Sequence, residues 1–386
     1  MRLNRVIAVF IAILLLTACA HEGTARQERD RTLSRQTGDI LVGVSWPFAD
    51  RNDGFREGLE LALDEINRQG VLGSRIRLIE KDDKSSVTDG LAIAQAFANN
   101  PELMAVIGHR SSAVAVPASK VYDHAGLLLL APSSTAPALT AGGADRVFRL
   151  IPDDAQIGSR MAAYANAEGF GNVAIFYAND EYGRGLANAF EDEAKATGMQ
   201  IVDRLTDYKD LNDLKRIVAK WKLLGCDAVF VAEVMPDGAQ FVADLRRAGM
   251  KVPVIGGDGL DAAALADSAG GAAEGTVVAS IFDPFAESET VRQFVRSYEQ
   301  KYGEAPLKWA AQGYDSLKLL AYALERAGSR EPSKLAEALK QVKSWQGASG
   351  SHSFDGSGDV RGMPIILKRV QGGAFQYLTG GARTNE

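Results

Sequence analysis

From Ile40 onward, short apolar runs alternate with longer stretches of helical period. Ile40–Val44 has strand length and ends in a turn around Trp46-Pro47. Phe55–Asn67 places Leu59, Ala62, Leu63 and Ile66 on one helical face, and Gly70 and Gly73 stop it. Ile76–Lys81 alternates as a strand does, and Val87–Asn99 returns to helical period. Met104–Gly108, Ser112–His124 and Leu127–Leu130 then repeat strand, helix, strand. Nearly continuous apolar strands separated by helices predict a parallel sheet covered on both faces.

A second series follows Pro152. Strands are predicted at Asn172–Tyr177, Gln200–Arg204, Ala228–Ala232, Val254–Gly256 and Gly275–Ser280, with helices at Tyr182–Thr197, Leu211–Leu224 and Pro236–Ala248. Three helices follow, Glu287–Tyr302, Trp309–Ala327 and Pro332–Val342, and then a hairpin-like end through Phe354–Asp359 and Pro364–Val370. The pattern predicts an α/β chain with two doubly wound, Rossmann-like lobes. Such sheets carry ligands at the carboxyl ends of their strands, and a cleft between domains favours a small-molecule site.

The chain has 386 residues, 46% hydrophobic and 24% charged, with a net charge of −6. That suffices for two α/β domains, and with no basic stripe nucleic acid is not an expected partner. Arg2 and Arg5 precede an apolar run, Val6–Leu16, too short to span a bilayer. Leu16-Thr17-Ala18-Cys19 follows and resembles the bacterial lipobox. The resemblance implies removal of residues 1–18 as a signal peptide, acylation of Cys19, and a place on the bacterial cell envelope, anchored to the inner or outer membrane. Residues 19–37 are polar and charge-rich and are expected to form a flexible tether. Cys226 is the only other cysteine, so no intrachain disulfide is expected if Cys19 carries lipid.

The order of several short motifs resembles the branched-chain amino-acid (Leu/Ile/Val)-binding family of type I periplasmic solute-binding proteins. They are Gly58-Leu59-Glu60-Leu61-Ala62, Asp82-Asp83, Val106-Ile107-Gly108-His109, Ala131-Pro132-Ser133-Ser134-Thr135, Glu181-Tyr182-Gly183 with Gly185, Ala273-Glu274-Gly275, Gly313-Tyr314-Asp315, and Phe354-Asp355 with Gly358-Asp359. The resemblance implies two lobes joined by a hinge with three crossovers. The first would comprise residues 38–153 and 283–360, the second residues 154–282 and 361–386. It implies that Ser112 and Thr135 hold a ligand carboxylate, that the Ser133 carbonyl and Asp258 face an ammonium group, and that Tyr182 reaches the ligand from the second lobe.

The residues themselves leave alternatives open. Ser112 and Thr135 lie at helix-start and turn positions that attract anions and equally suit ordinary caps. Asp258, where the family carries glutamate, is either an amine partner or a cap for a helix from Asp261. Tyr182 is either a ligand contact or packing at a helix start. Val234 stands where the family often has a tyrosine, and Ser85 and Ser111 where close amino-acid binders have a disulfide. Trp46 and Phe48 border the cleft and either stack on a ligand or pack the hinge.

The four histidines, His21, His109, His124 and His352, have no zinc-ligand spacing, and no nucleophile elbow, Walker loop or dinucleotide turn opens a helix after a strand. Neither metal nor cofactor is expected, and no enzymatic activity. The expected function is that of the substrate-binding lipoprotein of an ABC transporter, passing a small amino acid or related zwitterion to its permease. The alternatives are an aromatic, apolar or amide solute, or a role in sensing or envelope assembly.

Overall fold

A computed structural model describes residues 25–49 and 53–378. It opens with helix α1 over residues 25–35. There follow β1 (Ile40–Trp46), α2 (Phe55–Gln69), β2 (Ile76–Asp82), α3 (Val87–Ala98), β3 (Leu103–Gly108), α4 (Ser112–His124), β4 (Leu128–Ala131) and β5 (Val147–Arg149). The five strands form one parallel sheet in the order β2-β1-β3-β4-β5. Alternation within β4 shows why it is covered on both faces. Leu128 and Leu130 join one apolar cluster, while Leu129 and Ala131 join another with α3 and α4.

The chain then crosses into a second lobe built from α5 (Asp154–Ala167), β6 (Asn172–Tyr177), α6 (Glu181–Ala196), β7 (Gln200–Leu205), α7 (Leu211–Leu223), β8 (Ala228–Ala232), α8 (Asp237–Arg247), β9 (Val254–Gly256), α9 (Ala264–Ala269) and β10 (Val277–Ser280). It returns to the first lobe with α10 (Glu289–Tyr302), α11 (Lys308–Ala327) and α12 (Pro332–Lys340), where α11 packs on α2. A small sheet of β11 (Trp345–Gln346), β12 (Ser351–Phe354) and β13 (Val360–Arg361) follows, with Phe354 and Val360 in the first lobe's core. The chain crosses a third time to β14 (Ile366–Gln371) and β15 (Ala374–Tyr377), which extend the second sheet to β15-β14-β10-β9-β8-β6-β7. Its parallel part repeats the winding of the first sheet. In both lobes the strand order reverses beside the first strand, between β1 and β3 and between β6 and β8. Loops after those strands diverge and leave a crevice for a ligand.

One expectation is corrected. Residues 25–35, placed by the sequence in a flexible tether, are a helix docked on the first lobe. Leu33 is in the core, and the buried Arg29 guanidinium donates to the carbonyls of Ala98, Asn100, Leu103 and Ala125 at 2.5–2.8 Å. Three of these carbonyls lie at or just beyond the ends of α3 and α4, where backbone acceptors lack helical partners. Burial, reinforced by Arg146 and opposed by Asp30, pulls the Arg29 pKa down to about 10. Arg146 also pairs with Asp30 at 2.7 Å, and Arg26 pairs with Asp145. A polar composition concealed the helix because its anchors are charges paired with distant parts of the lobe.

Candidate functional site

Two turns of the first lobe are stitched together at the carboxyl edge of its sheet. The β3–α4 turn runs Gly108-His109-Arg110-Ser111 into Ser112, the first residue of α4. The turn after β4 carries Ser133, Ser134 and Thr135. The Ser133 hydroxyl donates to the Arg110 carbonyl at 2.8 Å, and the Ser134 hydroxyl to Ser112 Oγ at 3.1 Å. Ser112 Oγ also accepts the Ala136 N–H at 3.4 Å. The Thr135 hydroxyl is buried and makes no hydrogen bond of good geometry, its neighbour being the Asp154 carboxylate. Hydroxyls and the unpaired N–H groups at the start of α4 thus converge, an arrangement suited to an anion.

A buried network supports this edge from below. His109 Nδ1 meets Asp83 Oδ2 at 2.6 Å, its Nε2 meets the Tyr122 hydroxyl at 2.9 Å, and the Ser45 hydroxyl donates to Asp83 at 3.0 Å. Burial would raise the Asp83 pKa, but its bonds to His109, the Ser85 N–H and Ser45 together hold it below the usual carboxylate range. Asp82 accepts the N–H groups of Ala49 and Lys84, both at 2.9 Å, as a turn residue does. Among the described residues no group of three or more potential ligands is placed to hold a metal.

The second lobe supplies the opposite chemistry. Asp180 caps α6 by accepting the Gly183 N–H at 2.8 Å, which sets Tyr182 in the first turn. The Tyr182 hydroxyl reaches the short helical turn Asp258–Leu260 after β9. A side chain at Gly259 would place Cβ only 2.7 Å from that hydroxyl, so glycine makes the approach possible. Gly185 serves the contact between lobes. A Cβ there would lie 2.2 Å from Asp154 Oδ2 and 3.3 Å from Pro137. Helix α6 therefore closes directly onto the first lobe, and Ser112, Thr135, Tyr182 and Asp258 are all buried.

Asp154, which the sequence reading missed, opens α5 at the crossover and has 0% exposure. Neither carboxylate oxygen has a hydrogen bond of good geometry. Burial drives its pKa well above the usual range, opposed by the neighbouring Thr135 hydroxyl and assisted by repulsion from Asp258. Asp258 is raised too, by burial, with Lys308 and Tyr182 working against the shift. Lys308 and Lys368 face Asp258 and Asp261, while Arg149 near Asp154 is paired with Asp359 at 2.8 Å. One carboxylate is thus left without a dedicated countercharge. Its sequence signal was faint, because Asp153 already reads as the cap and accepts the Gln156 N–H at 2.8 Å.

The remaining sequence candidates fall elsewhere. Trp46 is fully buried, stacked on Phe55 at 3.7 Å and edge-on to Trp309 at 5.7 Å. The expectation that it stacks on a ligand is corrected to a packing role, since neighbouring aromatic rings occupy it. Phe48 is half-buried beneath Arg56, 4.1 Å from its ring centroid. Val234 is half-buried on the apolar cluster that contains Tyr182 and Phe230, and it brings no hydroxyl. Its neighbour Glu233 is buried and accepts the Val234 N–H at 2.9 Å. Burial, with Asp180 and Asp237 nearby, raises the Glu233 pKa to about 7. Cys226 is a buried thiol, and Cys19 lies outside the described residues.

Comparison with known proteins identifies the family and the fold. Residues 40–374 match the family model described as periplasmic binding protein. A Leu/Ile/Val-binding protein homolog from Brucella abortus is 30% identical over 353 residues, covering 88% of this chain and 93% of that protein. The crystal structure of an ABC transporter substrate-binding protein from Desulfitobacterium hafniense in complex with Leu is 44% identical, with a TM-score of 0.81 over 88% of this chain and all of that one. A leucine-binding protein from Thermotoga maritima, 27% identical, also has a TM-score of 0.81, over 88% of this chain and 98% of its own. With its two doubly wound lobes, its closed cleft and a family match over most of its length, the chain belongs to the periplasmic binding protein family.

Proposed function

We propose that this protein is the substrate-binding component of an ABC transporter and closes on a small α-amino acid. The observation that carries this reading is the pairing of opposite subsites in one closed cleft. Hydroxyl and N–H donors at Ser112 and Thr135 take the carboxylate. Asp154, left without a dedicated countercharge, takes the ammonium together with Asp258, the Thr135 hydroxyl and the Ser133 carbonyl. A zwitterion satisfies both ends at once, and only the closed arrangement brings Tyr182 and Asp258 to it. Val234 gives the side-chain end an apolar wall, which suits an aliphatic group. The leucine-bound relative from Desulfitobacterium hafniense supports the same class.

Calorimetric titration against the common amino acids, after unfolding and refolding to strip carried ligand, tests the reading. Saturable binding of one or a few aliphatic amino acids is expected; no heat with any α-amino acid overturns it. Val234 also favours a second reading, an apolar or amide solute without the amine, which mass spectrometry of the ligand co-purified with native protein identifies directly.

Anchoring through Cys19 belongs to the same proposal. Among the described residues no helix is long and apolar enough to cross a membrane. Several acyl chains on Cys19 provide attachment, at about 0.8 kcal/mol per buried CH₂. Cys19→Ser is expected to move the protein from the membrane fraction to the soluble one; an unchanged distribution refutes the anchor.

A further inference from the structure

Lys308 opens α11, which packs in the first lobe, yet its side chain is buried against a turn of the second. Its Nζ donates to the Asp258 carbonyl at 2.5 Å and lies 3.7 Å from Asp261 Oδ2. Asp261 is fixed in turn by Lys368 at 3.0 Å and by the Ser280 hydroxyl at 2.6 Å. A buried ammonium is tolerable only where acceptors surround it. These acceptors belong to the opposite lobe, so separating the lobes withdraws them. One turn along α11, Gln312 is wholly buried, and neither its Oε1 nor its Nε2 has a hydrogen-bond partner. Residues four apart lie on the same helical face, and an unpaired buried amide is costly. The first turns of the helix therefore offer the Lys308 ammonium two alternative places to be satisfied.

We propose that Lys308 is a latch between the lobes: closure gives its ammonium the Asp258 carbonyl, and opening passes it to Gln312 Oε1. This deepens the amino-acid-binding reading, because the residue the latch holds in place is the proposed amine partner. A ligand that engages Asp258 favours the state in which Lys308 is engaged, and this couples occupancy to closure. Lys308 is a positioning residue and need not touch the ligand.

The test uses the full chain with one spin label on each lobe, at Arg292→Cys and Leu223→Cys, both exposed positions. Inter-label distances are measured with and without L-leucine for wild type, Lys308→Met, Lys308→Arg and Gln312→Leu. Without ligand, Lys308→Met is expected to shift the distribution towards the open form, Gln312→Leu towards the closed form, and Lys308→Arg to stay near wild type. With L-leucine, Lys308→Met is expected to lose at least tenfold in affinity through faster dissociation. Identical distributions for Lys308→Met and wild type overturn the latch, as do shifts of Lys308→Met and Gln312→Leu in the same direction. If Lys308→Met does not fold, an unchanged distribution in Gln312→Leu overturns it. The ligand-free distances stand even if no amino acid binds, so failure of the latch and failure of the amino-acid reading are told apart.

Discussion

The Tyr182 hydroxyl donates to Asp258 Oδ1 at 3.2 Å and at the same time accepts the neighbouring Gly259 N–H at 3.0 Å. One phenol thus orients both the carboxylate and the backbone of the turn proposed to meet the amine. Tyr182→Phe keeps the ring in its apolar cluster and removes only these two bonds. A hydrogen bond to a charged group is worth about 1.5–3 kcal/mol, so affinity for the amino acid is expected to fall about tenfold or more. Calorimetry checks the affinity, and a modestly lowered but still cooperative melting transition shows that the core is intact.

Asp154→Asn separates function from stability. The folded-state pKa of Asp154 is raised, chiefly by burial, so the folded protein holds this proton more tightly than the unfolded chain does. Its charge destabilises the empty protein above the folded pKa, and that penalty is relieved as pH falls through it. The asparagine variant is therefore expected to melt higher than wild type without ligand at neutral pH. Losing one partner of a buried charge pair costs about 2–5 kcal/mol, so its affinity should fall by roughly 30-fold or more. Wild-type affinity should also weaken as pH drops, because Asp154 and Asp258 must both be ionised to meet an ammonium group. Titrations over a pH series with an amino acid and with its deaminated analogue check the sign: only the amino acid should show the loss.

Arg29→Ala leaves four carbonyls without their shared donor. Several hydrogen bonds to one charged group are lost, and a cost of roughly 2–4 kcal/mol is expected in chemical denaturation. Hydrogen exchange should show residues 25–35 losing protection, while ligand affinity stays unchanged because this helix is far from the cleft turns.

Trp46→Phe tests the packing role. Its stacking on Phe55 and edge contact with Trp309 place it in the first lobe's core, where complete truncation to alanine costs about 3–5 kcal/mol. The milder phenylalanine variant is expected to melt lower than wild type while preserving the ranking of ligands in a competition assay.

Fold and site were legible in the sequence to different degrees. Runs such as Leu127–Leu130 announce a strand covered on both faces, and Gly108-His109 and Ala131-Pro132 place two turns at neighbouring strand ends, so Ser112 and Thr135 could be named. Asp258 could be named from the family resemblance, since its flanking glycines alone suit a helix cap equally well. Asp154 could not, because a second acid at a helix start looks like capping, and its meaning lies in its burial against Gly185 of α6 and beside Thr135 of the first lobe. Trp46 misled because an aromatic in a cleft-side loop suggests a ligand, whereas the cavity it fills is made by Phe55 and by Trp309, distant in sequence. The short β5 strand was unreadable for a related reason: three residues, the last of them an arginine, have no periodicity, and Arg149 is buried because Asp359, Thr140 and the carbonyls of Ser134 and Ala136 come to meet it.

The docked helix α1 also sets a leash length. If Cys19 carries lipid, residues 20–24 alone separate the anchor from a helix fastened to the first lobe, and at full extension they cover roughly 20 Å. The body then rides within about its own radius of the bilayer, with one face held towards it, instead of ranging across the space beyond. Where the proposed permease shares that membrane, their encounter would become a search in two dimensions, limited by lateral drift of the anchor and by how often the cleft turns to face the right way.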